Sequence, residues 1–516
     1  MKVCLLQENK NFDFRNELPP HHEDLIQDLE LSTLLSAMAL GDKFLFDISR
    51  RVILASLTDP AAICYRQRVL ADCIAQPEII REMYAIAVAA LQDKRGLWGY
   101  SSQYPASILS AAVRQPEALI GRLRDLRRIA DSHAEKFRSE GMTTLFHGLQ
   151  HDLDDDYFQE LSHHLRQLRF RDGYLMSAEL DRDNSGINYV LRSGEARRSW
   201  KERVGMAPRT SFSFTLPARD EAGAQALSDM TSRAINVVAN VAAQSADHVT
   251  GYFTMLCAEL AFYVSCLNLS DQLTARSQPM TFPLPSARLP WHLSCSGLCD
   301  ASLALRLEGR AVGNDVDASG KSLVIITGAN SGGKSTFLRS VGVAQLMMQC
   351  GMFVTAGSFQ SSVCAGVFTH FIREEDPSMN SGRLDEELSR MSRIVDQISP
   401  RCLMLFNESF AATNEREGSE IGRQVVRALL EAQIRVFFVT HQYDFAESFH
   451  RQRADSTLFL RAERQSDGRR NFKLAAAAPL PTSYGEDIYY RIGGWMGERD
   501  LHRAHATSGS GSREQR

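Results

Sequence analysis

The sequence predicts an all-α region that carries a small β-containing tip, followed by an α/β domain with a parallel-rich sheet. Three observations support this fold class. Apolar residues recur at helical spacing through residues 20–168. From about residue 300, short apolar runs typical of buried strands alternate with helical stretches. One of these runs, 323–327, leads directly into a glycine-rich segment at 328–333, which is the most informative stretch of the chain.

The order of these patterns gives the expected domain organisation. One face of an early helix carries apolar residues at i, i+3, i+4 and i+7 spacing: Leu31, Leu34, Leu35 and Met38. Around residues 173–192 the pattern becomes two short strands separated by a turn, and long helical character returns from about 218 to 273. We therefore expect five segments: a helical core or lever at 1–170, a β-containing clamp tip at 171–212, returning lever helices at 213–284, the α/β domain at 285–496 and a disordered tail at 497–516.

Composition and charge describe an ordinary soluble protein. The 516 residues are 44% hydrophobic and 23% charged, with a formal net charge of −4. No apolar run approaches the length of a membrane span, and the N-terminus lacks the pattern of a signal peptide. The ten cysteines are scattered, as in reduced proteins. We expect a cytoplasmic protein, and any nucleic-acid binding requires a local basic patch.

The strand at 323–327 runs into Gly328-x-x-x-x-Gly333-Lys334-Ser335, which has the spacing of a P-loop. Glycines allow backbone N–H groups to close around a phosphate, and the following helix directs its positive end at the anion. Lys334 is then expected to reach the β/γ-phosphate oxygens, and the Ser335 hydroxyl to help hold Mg²⁺. The α/β domain is therefore predicted to be a P-loop ATPase domain of the ABC type, with ATP and Mg²⁺ as its cofactors.

Two later strands add candidate catalytic residues. The run 402–406 ends in Asn407 and Glu408, at the position where P-loop ATPases hold Mg²⁺ and place a base for the attacking water. Glu408 suits the base, whereas Asn407 offers the metal an uncharged oxygen. The strand 436–440 ends in His441, which could contact the γ-phosphate. The predicted catalytic residues are Lys334, Glu408 and His441, and the predicted metal ligands are Ser335 and Asn407.

These motifs together resemble the MutS family of DNA mismatch-repair ATPases. Segment 327–336 is similar to the family pattern T-G-P-N-M-G-G-K-S-T, in which the asparagine and the double glycine are more specific than a general P-loop. Segment 312–316 resembles the N-D segment that flanks the nucleotide, 413–418 the T-S-T-x-D-G loop, and 483–485 the S-Y-G near the end of the domain. The helical core is matched more loosely.

The resemblance implies a set of nucleotide-binding residues: Gly328, Asn330, Ser331, Gly332, Gly333, Lys334, Ser335, Thr336, Asn314 and Ser381. Ser381 is expected to reach the ATP of a partner subunit, because the resemblance also implies a homodimer with two composite sites. It is the one residue that can be offered from the family's S-T-F-x-x-E stretch, which is otherwise not reproduced here.

The sequence departs from the family in ways that bear on function. Ala329 and Ser331 replace proline and methionine, and the segment 409–418 differs from G-R-G-T-S-T-x-D-G. Asn407 replaces the aspartate on the metal side, so we expect slow hydrolysis. The helical core begins by about residue 25, which leaves room for neither a mismatch-recognition nor a connector domain. Nothing after residue 495 is long enough for a nuclease domain. We therefore expect no mismatch reading.

A basic cluster near the β-containing tip is the candidate DNA-binding surface. Residues 161–210 hold ten Arg or Lys against six Asp or Glu. The predicted contacts are Arg192, Arg197, Arg198, Lys201 and Arg203, through non-specific and salt-dependent interactions with phosphates. With the implied dimer, this favours an ATP-gated clamp on duplex or branched DNA.

Two alternatives remain at this stage. The chain could be a nucleotide-switched scaffold that hydrolyses ATP weakly and docks a protein partner, as Asn407 and the negative net charge suggest. It could also be an ABC-type or SMC-like ATPase without MutS ancestry. That alternative explains the P-loop and the long helices, but not Asn330 together with Ser483-Tyr-Gly485.

Overall fold

The computed structural model describes residues 2–481 apart from 16, 98–104, 171–174, 184–185, 193–214, 218, 287–288, 374–381, 453 and 466–468. The chain divides into two compact units, each made of two segments. The first unit comprises Met1–Phe12 and Ala75–Val264, and the second comprises Asp13–Ile74 and Ser265–Arg516. The finer domain bounds given above remain predictions.

Four helices open the chain and lie in the second unit up to Ile74. They are α1 (His22–Asp28), α2 (Leu31–Ala39), α3 (Lys43–Leu54) and α4 (Pro60–Ala75). The apolar face predicted for α2 is buried at all four of its positions. α3 begins where the Asp42 carboxylate accepts hydrogen bonds from the backbone N–H groups of Phe44 and Leu45, a regular N-cap.

The first unit is mainly helical. Its elements are α5 (Pro77–Leu97), α6 (Pro105–His133), a 3₁₀ turn (Ala134–Lys136), α7 (Glu140–Asp152), α8 (Asp155–Leu168), β1 (Met176–Leu180), β2 (Gly186–Leu191) and α9 (Glu221–Ala275). β1 and β2 pair in antiparallel fashion, as expected for the tip. α9 has 55 residues, a length of about 80 Å at helical rise. Its residues up to Val264 belong to the first unit.

The second unit contains two sheets. Its remaining elements are β3 (Leu284–Ser286), β4 (Leu293–Leu298), α10 (Ala301–Arg306), β5 (Asn314–Asp317), β6 (Leu323–Gly328), α11 (Lys334–Gln349), β7 (Ser358–Ser362), β8 (Val367–Phe371), α12 (Arg383–Val395), β9 (Leu403–Asn407), α13 (Glu415–Glu431), β10 (Arg435–Val439), α14 (Tyr443–Gln452), β11 (Thr457–Arg464) and β12 (Arg470–Ala476). The smaller sheet has the order β3-β7-β4-β5.

The larger sheet has the order β12-β11-β6-β10-β9-β8, and its five strands other than β12 run parallel. The parallel-rich sheet expected from the apolar runs is confirmed. Every residue of β6 and β10 is buried, because helices cover a parallel sheet on both faces. In this register the carboxyl ends of β6, β9 and β10 meet at one edge, which brings together the segments that carry the predicted site.

Three further features limit other interpretations. Among the described residues, α9 alone is long and apolar enough to cross a membrane, and 83% of its most apolar window is buried within the protein. That is weak evidence for a membrane span, since core helices pass the same test. All ten cysteines are free thiols. No group of three or more His, Cys, Asp or Glu side chains in the described ranges is arranged to hold a metal ion.

Candidate nucleotide-binding site

The glycine turn (residues 328–333) joins β6 to α11 and needs its glycines for steric reasons. Gly328 and Gly333 have φ values of +104° and +89°, in the left-handed region that side chains rarely adopt. A β-carbon on Gly332 would lie 2.7 Å from the β-carbon of Ala462, and one on Gly328 would lie 2.8 Å from the Ala462 nitrogen. The turn can therefore pass close to β11 only with glycine at these positions.

Lys334 begins α11, and its side chain folds back into the glycine turn. Its ammonium donates hydrogen bonds to the carbonyl oxygens of Gly328, at 2.9 Å, and Ala329, at 3.2 Å. Burial lowers the pKa of Lys334; the nearby Glu408 carboxylate opposes this shift and Arg470 adds to it. A buried ammonium that only neutral carbonyls bind directly is well suited to an anion, and so is the helix N-terminus at the same place.

A cavity of about 420 Å³ opens beside the turn. Its lining residues are Asn330, Ser331, Gly332, Gly333, Lys334, Ser335, Thr336, Glu408 and His441. The structure thus gathers most of the predicted nucleotide-binding residues and all three predicted catalytic residues around one space. Small-molecule sites in proteins have volumes of this order, and this one is open to solvent on one side.

Glu408, which directly follows β9, also lines the cavity, and Asn407 ends the strand beside it. The Ser335 hydroxyl donates a 2.8 Å hydrogen bond to the side-chain oxygen of Asn407. These oxygens are of the kind that Mg²⁺ prefers, so the predicted metal pair fits the ion in chemistry, although without a negative charge. The Glu408 carboxylate lies 4.0 Å from Nδ1 of His441, and the Glu408 N–H donates to the Val439 carbonyl at 2.9 Å.

Some predicted residues lie elsewhere. Asn314 is buried behind the glycine turn, where its amide donates to the Phe472 carbonyl at 3.2 Å and accepts from the Leu474 N–H at 2.8 Å. It therefore anchors β12 and does not line the cavity. Arg192 is exposed at the end of β2, in the first unit, and donates to the Ser177 hydroxyl at 2.9 Å.

Ser381, Arg197, Arg198, Lys201, Arg203 and the segment 483–485 lie outside the described residues.

Sequence reasoning missed two features close to the cavity. Arg470 of β12 donates a 3.3 Å hydrogen bond to the Asn330 carbonyl, so an additional cation stands beside the glycine turn. The backbone after Glu408 is held by Glu387 of α12. A glutamate on the apolar face of an otherwise amphipathic helix was the available signal for Glu387, and no local pattern marks Arg470.

Comparison with known proteins agrees with these motifs. The family model of the MutS2 N-terminal domain matches residues 58–276, and that of MutS domain V matches residues 324–490. The DNA mismatch repair protein MutS of Chloroflexus aurantiacus is 32% identical over 138 residues, which are 26% of this chain and 14% of that protein.

Two further relatives show the same partial overlap. The DNA mismatch repair protein MutS of Porphyromonas gingivalis is 28% identical over 214 residues, 38% of this chain and 24% of the relative. The DNA mismatch repair protein MSH3 of Arabidopsis thaliana is 35% identical over 144 residues, 27% of this chain and 13% of the relative. The chain therefore matches less than a quarter of the length of each. With one family model on the helical region, another on the α/β region and the site motifs in agreement, the chain belongs to the MutS family.

Proposed function

We propose that the protein binds ATP with Mg²⁺ in the cavity beside the glycine turn and hydrolyses it slowly. The observation that carries this proposal is that Lys334, Ser335 and Glu408 line one cavity although they follow strands far apart in sequence. Asn407 joins them through its hydrogen bond with Ser335. The MutS domain V match over 324–490 supports it. The parts of a P-loop ATPase are a phosphate cradle, a lysine, a metal-holding hydroxyl and a base.

Each residue has a distinct part in this mechanism. The Lys334 ammonium and the N–H groups of the glycine turn neutralise the phosphates, and Asn330 to Thr336 orient them. Ser335 and Asn407 would hold Mg²⁺, which when bound offsets charge on the phosphate oxygens. Glu408 accepts the proton of the attacking water, and His441 stands beside it at the γ-phosphate end. Because Asn407 contributes no charge, the metal is held more weakly and turnover is slow.

Steady-state hydrolysis by wild type and Glu408→Gln tests this proposal. Loss of the base should lower kcat by at least about 100-fold while ATP binding persists, since general-base catalysis contributes on this scale. Glu431→Gln, at the exposed end of α13, removes a carboxylate of the same type outside the cavity and serves as the matched control. Equal rates in wild type and Glu408→Gln would reject Glu408 as the base.

DNA is the partner that the family and the sequence favour. The relatives are DNA mismatch repair proteins by name, and the basic cluster at 192–203 offers phosphate contacts without base reading. In this proposal two chains form a cytoplasmic homodimer, Ser381 of each chain contacts the ATP of the other, and ATP binding closes a clamp on duplex or branched DNA. Long helices such as α9 transmit the change to the β1–β2 tip.

Binding of duplex, branched and single-stranded DNA at several salt concentrations, with and without a slowly hydrolysed ATP analogue, tests the clamp. Combined replacement of Arg197, Arg198 and Lys201 by Ala should weaken binding and lower its salt dependence by about three phosphate contacts. A control removes three exposed cations from the second unit: Lys43, Arg68 and Arg393. The mass of the particle, measured in the presence of the ATP analogue and duplex DNA, shows whether a dimer forms. A mass that stays monomeric contradicts the clamp.

Asn407 also favours a second candidate, a nucleotide-switched scaffold that docks a protein partner. Its neutral amide already accepts the Ser335 hydroxyl hydrogen bond, so the pair is stable without a metal ion. This alternative predicts ATP binding with turnover near background that neither Glu408→Gln nor DNA changes. Hydrolysis by wild type and Glu408→Gln, measured with and without duplex DNA, therefore separates the candidates.

A further inference from the structure

The β9–α13 loop (residues 408–414) carries Glu408 in an unfavourable backbone conformation. Glu408 and Phe410 have φ values of +55° and +62°, although both have a β-carbon. Such residues occupy the left-handed region only when surrounding contacts hold them there. The contacts that hold this loop therefore decide where the Glu408 carboxylate points.

Glu387 supplies the first contact. It lies in the second turn of α12 and is buried, and its carboxylate accepts a 2.6 Å hydrogen bond from the Phe410 N–H. Its other carboxylate oxygen is buried and has no hydrogen-bond partner in the described part of the chain. Burial raises the pKa of Glu387, whereas the hydrogen bond from the Phe410 N–H and the charges of Arg383 and Arg390 lower it, so the cost of burying this carboxylate is only partly offset. An apolar residue at this position would pack more simply.

His370 of β8 supplies a second contact, at the residue between the two strained positions. Burial, together with the charges of Arg390 and Arg373, lowers the pKa of His370 to about 4, so the ring is neutral at pH 7. Its Nε2 lies 3.0 Å from the Glu387 carbonyl, which can only accept, so Nε2 carries the proton. Nδ1 is then an acceptor for the Ser409 hydroxyl at 2.7 Å, and that hydroxyl shares its one proton between Nδ1 and the His370 carbonyl, which lies 2.5 Å away. Glu387 thus contacts the loop in two ways. Its side chain binds the Phe410 N–H directly, and its backbone carbonyl binds His370, which in turn contacts Ser409.

The third contact is made at the Phe410 carbonyl. Gln442, next to His441, donates from its side-chain amide to the Phe410 carbonyl at 3.1 Å. Gly418 of α13 lies against the same carbonyl, where a β-carbon would be only 2.2 Å from the oxygen. Both backbone polar groups of Phe410 are therefore held by side chains from other elements, two residues after Glu408.

We propose that Glu387 is a positioning residue for hydrolysis: by holding the Phe410 N–H and the His370 ring, it fixes the β9–α13 loop and aims the Glu408 carboxylate into the cavity. Glu387 is not among the residues that line the cavity, so it acts only through Glu408. This inference rests on the proposed ATPase function and assigns a determinant of its rate. Misplacement of a reacting group by about 1 Å can cost up to 100-fold in rate, so the expected effect is measurable.

The test compares Glu387→Ala with Glu387→Gln in steady-state ATP hydrolysis. The alanine variant should lower kcat by about tenfold or more with KM for ATP within about threefold, because the glycine turn is untouched. The glutamine variant keeps a carbonyl oxygen for the Phe410 N–H and should retain kcat within about threefold. Asp385→Ala, an exposed carboxylate in the same helix, is the matched control and should match wild type. A purely structural role of Glu387 would lower the melting temperature without this division between kcat and KM.

Hydrogen exchange of peptides covering 404–412 gives a readout that does not depend on turnover. The Phe410 amide should exchange at least about tenfold faster in Glu387→Ala and at the wild-type rate in Asp385→Ala. If Glu387→Ala does not fold, the same measurements are made on Ser409→Ala. This variant removes one hydroxyl from the same set of contacts. An active wild type whose kcat and exchange are unchanged in these variants overturns the positioning role alone. A wild type without turnover overturns the proposed ATPase and this role together, whatever the exchange shows.

Discussion

The two sides of the candidate site are built in different ways. The glycine turn is organised by residues within one short segment: Lys334 donates to Gly328 and Ala329, six and five positions away. The β9–α13 loop is organised from a distance, because Phe410 is held by Glu387 and Gln442, 23 and 32 positions away. A phosphate cradle can thus be encoded locally, whereas the placement of the proposed catalytic base depends on the packing of several elements.

The largest expected effect concerns the glycine turn, which is organised within one segment. Lys334→Ala removes the buried ammonium, and ATP affinity should fall by at least about 100-fold, because a charge-assisted contact to phosphate is lost and nothing replaces it. Titration with a fluorescent ATP analogue measures this. Lys321→Ala, before the other end of β6, removes a cation of the same type outside the cavity and should bind normally. Unchanged affinity in Lys334→Ala would show that the nucleotide is held at another place.

This difference explains how much the sequence could predict. The runs 402–406 and 436–440 became β9 and β10 within one residue at each end, because a parallel strand buried on both faces is apolar throughout. The glycine turn was equally visible, since its spacing is set by backbone geometry alone. β12 was not foreseen, because its polar and apolar residues mark an edge strand only weakly.

The functions of single residues were less visible. Asn314 belongs to a motif that suggested nucleotide contact, but its amide holds β12 through Phe472 and Leu474. Nothing in the sequence around Glu387 identifies its partner, and only the three-dimensional arrangement shows its bond to Phe410. The spacing of residues along the chain predicts which side chains are neighbours within one segment. It does not give the partners that a sheet order of β6-β10-β9-β8 brings together.

A second prediction concerns the effect of pH on stability through His370, which contacts the β9–α13 loop. His370 has a pKa of about 4 in the fold, below the usual histidine value of 6.5, because it is buried. The unfolded chain therefore binds a proton first as pH falls, so the contribution of His370 to stability is full above pH 6.5 and is lost towards pH 4. Between pH 7 and pH 5 this loss is on the order of 2 kcal/mol.

Urea unfolding of wild type and His370→Gln at both pH values measures this contribution. Replacement of the titrating ring should remove most of that difference, whatever it does to stability at pH 7. His450→Gln, a partly exposed histidine of α14, controls for the loss of a histidine as such. The same pH dependence in wild type and His370→Gln would contradict a neutral, buried His370 and weaken the hydrogen-bond assignment around Ser409.

The smallest predicted effect concerns Asn407, whose hydrogen bond with Ser335 joins the end of β9 to the segment of the glycine turn. Asn407→Asp restores a carboxylate beside the Ser335 hydroxyl, 2.8 Å away in the present structure, and should raise Mg²⁺-dependent hydrolysis by about tenfold. The reason is that a charged oxygen holds the cation more firmly than an amide oxygen does. Hydrolysis rates at increasing Mg²⁺ measure the change, which should appear as a lower Mg²⁺ requirement together with the higher rate.

Asn9→Asp, on the exposed surface of the first unit, adds the same charge outside the cavity and should leave the rate unchanged. If Asn407→Asp also leaves the rate and the Mg²⁺ requirement unchanged, the metal ion is held elsewhere. Asn407 would then be a structural partner of Ser335, and any slow turnover that is measured would have its origin in the β9–α13 loop. A faster enzyme that still depends on Glu387 would instead show that metal binding and the aim of Glu408 limit the rate separately, one from each side of the cavity.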